Sequence, residues 1–369
     1  MGDASIFRPA VEELTPYQPG KPVEDVQREL GLERIIKLAS NEGPFPPFPA
    51  ALEAMERSAR DLNRYPDGGS YRLHEALAAR HGVAFEEVCA GPGADGCLDM
   101  LSQATLDPGD EIVCGWPSFP SYLIYARKLG ATPVAVPLRD NRYDLDALLA
   151  AVTPRTKLVY VCHPNNPTGT MNTKDELDSF FAQVPEHVLV VVDQAYFEYI
   201  DRPDYPDVVA AYFKQGRRVV VLRTFSKIYG LAGVRVGYAV APADVCAAMA
   251  KTRRPFDVTI PAQVAALASV GDATEIARRR ALNAEGLERL DAILGEHGLE
   301  PAPGAVANFL FVEVGDDALR LYDALLHEGV IVRPLAGFGA PGAIRVSVGS
   351  PEENEFFAEA LGRVLARTR

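Results

Sequence analysis

Cysteine is scarce in this sequence, and its spacing is irregular. The 369 residues include five cysteines, and no two of them form a C-x-x-C pair. A disulfide framework and a thiolate metal site are therefore not indicated, and we predict a protein without bound metal. We interpret the cysteines as small core residues: Cys89, Cys97, Cys114, Cys162 and Cys246.

Long apolar runs and an excess of basic charge are also missing. No stretch approaches the roughly 18 consecutive apolar residues of a membrane span, and residues 1–27 lack the apolar core of a signal peptide. The formal net charge of -13 disfavours a nucleic-acid partner and a polybasic membrane anchor. We therefore expect a cytoplasmic protein that acts on small molecules, without nucleic-acid or membrane partners.

What the sequence does contain is a core-forming composition in an α/β pattern. It is 48% hydrophobic and 24% charged, which is typical of a globular protein with a sizeable core. Short β-branched runs such as KLVYV and VLVVVD suit buried, mainly parallel strands covered by helices. We predict a large α/β domain over residues 37–255. Residues 1–36 and 256–369 would form an N-terminal arm and a smaller α+β domain, with a long helical stretch from Ala262 to about His297.

One lysine, Lys227, stands between two apolar segments in VVVLRTFSKIYGLAGVRVGYA. A buried amine must lose or pair its charge, and desolvation lowers its pKa, so it can become a Schiff-base nucleophile. Thr224 and Ser226 offer hydroxyls beside it, and Arg235 offers a guanidinium eight residues later. Hydroxyls and an arginine together suit a phosphate. The alternative is an ordinary strand end with a solvated lysine.

A glycine-rich turn in CAGPGADG offers a second anion site. Gly91 and Gly93 permit a tight turn after a strand. A helix would then begin, and the free N–H groups of Gly93, Ala94 and Asp95 in its first turn would form an anion site. The helix dipole also favours an anion there. A purely structural turn is the alternative.

Further polar groups follow two predicted strands. CHPNNPTGT places Asn165 and Asn166 at a strand's carboxyl end, where open α/β sheets bind ligands. An amide there can hydrogen-bond a ring oxygen, or the segment can be only a turn. VVVDQAYFEY ends a strand in Asp193, with Tyr196 three residues on. A buried carboxylate needs a cationic partner, either a protonated ring nitrogen or an arginine, unless it caps a helix.

The motifs occur in the order N-P-T-G, D-x-A-Y, S-K, and an arginine eight residues after the lysine. In this order the chain resembles the fold-type I pyridoxal-phosphate enzymes of the aspartate aminotransferase superfamily. The resemblance implies pyridoxal 5'-phosphate as cofactor. It also implies a large domain with a mainly parallel sheet, a smaller α+β domain, and a homodimer whose active sites are shared across the interface.

The same resemblance assigns roles to individual residues. Lys227 would bind the cofactor covalently and move the proton during catalysis, and Asp193 would pair with the ring nitrogen. Asn166 and Tyr196 would hold the phenolic oxygen, and Phe119 would stack on the ring. The residues implied for the phosphate are Gly93, Ala94, Asp95, Thr224, Ser226, Arg235 and Tyr65 of the partner subunit.

Longer segments, including LNRYPDGGSYRLHEALA and GVIVRPLAGFGAPGAIRVSVGSPEEN, resemble the histidinol-phosphate aminotransferase family. The implied reaction, a step of histidine biosynthesis, transfers the amino group of L-histidinol phosphate to 2-oxoglutarate, giving imidazole acetol phosphate and L-glutamate. Tyr17, Arg333 and Arg345 are the implied substrate residues, which must take a phosphate and a carboxylate in turn. Taken alone, Arg345 could equally form a core ion pair.

The chain departs from that family's common pattern at several positions. These are Gly43 in place of Asn, Pro92 in place of Asn, Gly96 in place of Glu, His163 in place of Asn or Ser, and Gln194 in place of Glu. We expect the changes at Gly43, Gly96 and Gln194 to alter the substrate pocket or its rim. His163 is either a pocket base or, as we favour, a structural group.

Three other functions use similar residues. An aromatic amino-acid aminotransferase shares the chemistry and differs in its amino donor. A fold-type I lyase, such as a threonine-phosphate decarboxylase, would release carbon dioxide. A ligand-sensing regulator usually carries a basic helix-turn-helix extension, which we do not find in this sequence.

Overall fold

A computed structural model describes residues 5–368 of the chain. The strands are β1 (Ile36–Lys37), β2 (Val88–Gly91), β3 (Glu111–Trp116), β4 (Thr132–Pro137), β5 (Thr156–Cys162), β6 (Leu189–Asp193), β7 (Val219–Thr224), β8 (Gly237–Val240), β9 (Phe309–Glu313), β10 (Val330–Ile331), β11 (Arg333–Pro334) and β12 (Ala343–Ser347). The α-helices are α1 (Pro9–Glu12), α2 (Val23–Leu30), α3 (Pro49–Ser58), α4 (Tyr71–His81), α5 (Gly93–Thr105), α6 (Ser121–Lys128), α7 (Leu145–Ala150), α8 (Lys174–Gln183), α9 (Val208–Ala211), α10 (Ala243–Thr252), α11 (Ile260–Ser269), α12 (Ala273–Gly295), α13 (Ala318–His327) and α14 (Pro351–Thr368). Residues 1–4 and 369, at the ends of the predicted arm and small domain, lie outside the described residues.

Seven strands form the central sheet, in the order β2-β8-β7-β6-β5-β3-β4. The five strands from β7 to β4 in that order run parallel to one another, whereas β8 is antiparallel to both of its neighbours. β6 and β7 are buried along their whole length, as strands are when helices cover both faces of a sheet. The predicted α/β fold with a mainly parallel sheet is thereby confirmed.

A second, smaller sheet has the antiparallel order β11-β12-β9. Its apolar face packs with residues of α12, α13 and α14 in a separate core cluster. The segment that follows the N-terminal arm joins this part of the molecule, because β1 pairs with β10. The division that we predicted at residues 255 and 256 stays a prediction.

The helical stretch predicted from Ala262 to about His297 is observed, with one interruption. The chain forms two helices there, α11 and α12, with a break at Gly271 and Asp272. The carboxylate of Asp272 accepts a hydrogen bond from the backbone N–H of Glu275 at 3.0 Å, so it caps a new helix.

The five cysteines are buried and unpaired, in agreement with their interpretation as core residues. Within residues 5–368, no three His, Cys, Asp or Glu side chains are grouped so that they could hold a metal ion. None of the helices formed by these residues combines the length and the apolarity needed to cross a membrane.

Candidate active site

A cavity of about 340 Å³ lies where β5, β6 and β7 end. Parallel strands present their carboxyl ends at one edge of a sheet, and open α/β sheets bind their ligands there. The predicted site residues that line it are Tyr17, Ala94, Asp95, Phe119, Asn166, Asp193, Tyr196, Thr224, Ser226, Lys227, Arg235, Arg333 and Arg345. Gly93 and Tyr65 are the predicted residues that do not line this cavity.

Hydroxyl and guanidinium groups meet on one wall of the cavity. The Thr224 hydroxyl donates to Ser226 Oγ at 3.0 Å, and Arg235 Nη1 donates to the same oxygen at 3.4 Å. Arg235 also lies against Gly93, the first residue of α5, because a β-carbon at Gly93 would be 2.6 Å from Arg235 Nη2. The structure thus brings both predicted halves of the anion site together.

The N-terminus of α5 forms the other wall of that site. The residue before it, Pro92, makes no side-chain cap, and α5 runs for 13 residues. The first N–H groups of such a helix are free to donate to an anion, and the helix dipole adds a partial positive charge. Ala94 and Asp95 carry two of these groups at the edge of the cavity.

Asp193 is a buried carboxylate with two hydrogen-bond donors. The hydroxyl of Tyr122 donates to Oδ2 at 2.8 Å, and the N–H of Ala195 donates to Oδ1 at 3.1 Å. Burial raises the pKa of Asp193, and the bond from Tyr122 opposes that rise. In the described part of the chain no lysine or arginine forms an ion pair with it, so the arginine alternative is not observed. Sequence reasoning missed Tyr122, which lies 71 residues away.

Lys227 projects into the cavity rather than into bulk solvent. Its Nζ donates to the carbonyl oxygen of Ser40 at 3.2 Å and lies 5.5 Å from the centre of the Tyr196 ring. Burial lowers the pKa of Lys227 to about 8; Arg345 reinforces this shift and Glu42 opposes it. A larger fraction of this amine is therefore neutral, and nucleophilic, at neutral pH than is usual for lysine.

Tyr196, Asn166 and Phe119 line the same cavity as the lysine. The Tyr196 hydroxyl accepts a hydrogen bond from Asn41 Nδ2 at 2.9 Å, and Asn166 Oδ1 accepts one from Arg345 Nη1. Phe119 packs edge-on against Tyr122, with ring centres 5.6 Å apart. Asn41 lines the cavity as well, and sequence reasoning did not identify it.

Arg333 and Arg345 are paired across β11 and β12. Both are buried, and the Nε of each has no hydrogen-bond partner. Their remaining bonds are made to neutral oxygens, such as that of Ala39, which accepts from Arg345 Nη2 at 2.6 Å. Within residues 5–368 neither has a carboxylate within ion-pair distance, so the core ion pair considered for Arg345 is not observed. Tyr17 lies beside them, its ring centre 5.7 Å from the Arg333 guanidinium carbon.

Tyr65 does not approach the cavity of its own chain. Its side chain is 79% exposed and stacks on Phe256, with ring centres 4.5 Å apart. The predicted contribution of Tyr65 to a neighbouring subunit stays a prediction.

Two of the residues that differ from the family pattern, His163 and Gln194, are buried and do not line the cavity. His163 is fully buried, its Nε2 is 2.7 Å from the carbonyl oxygen of Asn172, and its ring stacks on Tyr205. Burial lowers its pKa to about 4, so it is neutral at physiological pH and has the structural environment that we favoured. Gln194 accepts from Arg223 and donates to the Tyr205 hydroxyl. It does not line the cavity, so its expected effect on the substrate pocket stays a prediction.

Gly96 and Gly43, which also differ from the family pattern, lie outside the lining of this cavity. A β-carbon at Gly96 would lie 2.5 Å from the ring of Pro92, so packing limits which residue can occupy this position. Gly43 borders a second cavity, of about 430 Å³, which is also lined by Tyr199 and α12. Neither glycine lines the cavity that holds Lys227.

Comparison with known proteins places this geometry in a family. Residues 33–361 match the family model described as aminotransferase class I and II. The chain is 46% identical over 360 residues to a histidinol-phosphate aminotransferase of Moorella thermoacetica, covering 97% of this chain and 93% of that one. It is 45% identical over 368 residues to the histidinol-phosphate aminotransferase of Akkermansia muciniphila, covering 99% of this chain and 100% of the relative.

Solved structures agree. The histidinol-phosphate aminotransferase of Sinorhizobium meliloti, in complex with pyridoxal-5'-phosphate, superposes with a TM-score of 0.90 at 30% identity over 100% of both chains. The aspartate aminotransferase of Thermus thermophilus with maleate gives 0.84 at 26% identity, over 98% of this chain and 100% of that one. The chain therefore belongs to the class I and II aminotransferases.

Proposed function

We propose that this protein uses pyridoxal 5'-phosphate to transfer the amino group of L-histidinol phosphate to 2-oxoglutarate. The products are imidazole acetol phosphate and L-glutamate. The names of the relatives from Moorella thermoacetica and Akkermansia muciniphila support this substrate. The residues of the cavity support it independently.

The pair of buried arginines, Arg333 and Arg345, gives the strongest support for this substrate. Two guanidinium groups are buried on adjacent strands, and among the described residues no carboxylate compensates them. Buried charges are costly unless they are paired, so this arrangement favours an anionic ligand. A phosphate carries up to two negative charges and three acceptor oxygens, which match two arginines better than a single carboxylate does. This favours a phosphorylated amino donor over an aromatic amino acid.

The residues present also fit the cofactor. The hydroxyls of Thr224 and Ser226, the guanidinium of Arg235 and the free N-terminus of α5 converge as a phosphate site requires. Asp193 lies in the same cavity, and within residues 5–368 it forms no ion pair, so a protonated ring nitrogen would supply the partner that a buried carboxylate needs. Lys227, with its lowered pKa, is suited to hold an aldehyde covalently.

Bound pyridoxal phosphate supplies an aldehyde and an electron-withdrawing ring. Lys227 Nζ would take the proton from the amine-bearing carbon of the donor and return it on the cofactor side. Asp193 would keep the ring nitrogen protonated, while Asn166 and Tyr196 would orient the ring through its phenolic oxygen. Phe119 would cover one face of the ring and exclude water.

We further propose that the protein is a cytoplasmic homodimer in which Tyr65 of the partner subunit reaches the phosphate site. The stack of Tyr65 on Phe256 supports the dimer, because two adjoining exposed aromatic rings form an apolar patch, and such patches mark interaction sites.

Donor assays test the substrate. With 2-oxoglutarate as acceptor, kcat/KM for L-histidinol phosphate should exceed that for L-phenylalanine by at least about tenfold, the effect of about 1.4 kcal/mol of differential binding. Lys227→Ala should remove both the activity and the visible absorbance of the covalently bound cofactor. Faster turnover of L-phenylalanine would instead assign an aromatic aminotransferase, and carbon dioxide release without 2-oxoglutarate would assign a lyase.

A further inference from the structure

Asn41 is a buried residue held in an unusual backbone conformation at the edge of the cavity. Its φ of 54° lies in the left-handed region, and its side chain is 1% exposed. Asn308 Nδ2 donates to its carbonyl oxygen at 3.1 Å. The preceding residue, Ser40, supplies the carbonyl that accepts from Lys227. One dipeptide thus contacts the lysine and, through Asn41, Tyr196.

A chain of hydrogen bonds passes through Asn41 from Ser347 on β12 to Tyr196, which lies three residues beyond β6. The backbone N–H of Asn41 donates to Ser347 Oγ at 3.0 Å, and the Ser347 hydroxyl donates to Asn41 Oδ1 at 2.9 Å. Asn41 Nδ2 then donates to the Tyr196 oxygen at 2.9 Å. Ser347 lies two residues beyond Arg345 on β12, so both side chains are on the same face of that strand.

The direction of this chain is fixed by its donors. If the Asn41 amide were turned over, its NH2 group would face Ser347, and the serine proton would have no acceptor among the described residues. Ser347 is 2% exposed, so that proton could not turn to water without cost. The observed orientation gives the Ser347 proton an acceptor and makes the Tyr196 oxygen an acceptor as well.

The proton of Tyr196 is therefore left for another partner. Within residues 5–368 the hydrogen bond from Asn41 is the one that Tyr196 Oη makes, and the ring lines the cavity. We propose that Asn41 and Ser347 are positioning residues, which keep the Tyr196 hydroxyl proton directed into the cavity toward the phenolic oxygen of the cofactor. This inference rests on the cofactor proposed above.

The readout is the pH at which the visible band of the bound cofactor titrates. A hydrogen bond donated to the phenolic oxygen stabilises the deprotonated form of the bound cofactor. It therefore lowers the pKa at which the visible band titrates. Tyr196→Phe removes that donor and should raise the pKa by roughly one pH unit, as expected for one hydrogen bond to a charged group. Asn41→Gly, which suits the left-handed backbone, and Ser347→Ala should shift it in the same direction.

Asn41→Asp reverses the hydrogen bond without changing the shape of the side chain. Its carboxylate accepts from Ser347 and from Tyr196, so it turns the tyrosine proton away from the cavity. The pKa should again rise, in part through the added negative charge, which is why the uncharged Asn41→Gly variant is the primary test. Asn308→Ala is the matched control, because it removes a bond to the same residue but leaves the side-chain hydrogen bonds intact. It should lower Tm and leave the pKa unchanged.

A double variant shows whether the residues act through one proton. Asn41→Gly in a Tyr196→Phe background should cause no further shift. A further shift of the pKa in the double variant would overturn the positioning role. So would an unchanged pKa in Asn41→Gly, if Tyr196→Phe alone raises it. Either result would leave the proposed function standing. If the wild-type protein develops no visible band with pyridoxal phosphate, the proposed function itself fails.

Discussion

Pro92 and Gly96 occupy one small volume at the start of α5. The ring of Pro92 fills the space in which a side chain at position 96 would begin, with Cγ and Cδ both 2.5 Å from a β-carbon there. Most helical positions prefer alanine to glycine by about 1 kcal/mol. At Gly96 the contact with Pro92 outweighs that preference, so the two departures from the family pattern depend on each other.

We therefore expect Gly96→Ala to lower the free energy of unfolding by about 1–3 kcal/mol, the usual cost of overpacking. Gly295→Ala is the matched control, since Gly295 ends α12 and a β-carbon there meets nothing within 4 Å. It should be neutral or stabilising by up to about 1 kcal/mol. Urea unfolding of the variants measures both, and removing the ring with Pro92→Ala should relieve the effect of Gly96→Ala. Equal effects of the two glycine substitutions would contradict the packing argument.

The anion site depends on how closely strand β8 approaches helix α5. Gly237, the first residue of β8, faces the backbone of Gly93 and Ala94 so closely that a β-carbon would be 2.6 Å from the carbonyl carbon of Gly93. Its antiparallel pairing with Gly91 holds the strand in this place. The contact is between backbones, so no change of rotamer could relieve it.

Gly237→Ala should therefore displace the N–H groups at the start of α5 from the anion site. We expect affinity for pyridoxal phosphate to fall at least tenfold, which is about 1.4 kcal/mol, because the donors would no longer converge. Equilibrium dialysis of the apoprotein with the cofactor measures this. Gly271→Ala is the control, since a β-carbon there meets nothing within 4 Å and should leave affinity unchanged. Wild-type affinity in Gly237→Ala would separate the α5 terminus from cofactor binding.

Short-range signals explain what the sequence predicted at the site. Thr224 ends β7, and Ser226 and Lys227 follow it, while Asp193 ends β6. Because the two strands are parallel neighbours, these residues lie at the same edge of the sheet, as their places in the sequence predicted. Asn41 and Ser347 are 306 residues apart, and hydrophobic periodicity indicates which face a residue occupies but not which distant residue it meets. The overall composition of the stretch predicts helix and does not show the break between α11 and α12. A local signal marks that break: Gly271 precedes the N-cap Asp272, and Glu275 follows three residues later.

The surface of the whole molecule leaves several large aromatic side chains exposed. Tyr65 is 79% exposed, Tyr71 57% and Phe256 43%, and Tyr65 does not line the cavity of its own chain. Burying such groups against a second copy would remove apolar area from water and would bring Tyr65 to the site of its partner. The proposed dimer thus explains an exposure that the single chain does not.

Hybrid dimers test that arrangement directly. Lys227→Ala subunits lack the catalytic amine, and Tyr65→Ala subunits would weaken the site of their partner, so each homodimer should have low activity. A hybrid of the two would hold one site with Lys227 and Tyr65 both intact. Refolding the variants together in equal amounts should restore about a quarter of wild-type activity, since half of the dimers are hybrids with one of two sites complete. Activity equal to the mean of the separate variants would mean that Tyr65 does not act across an interface.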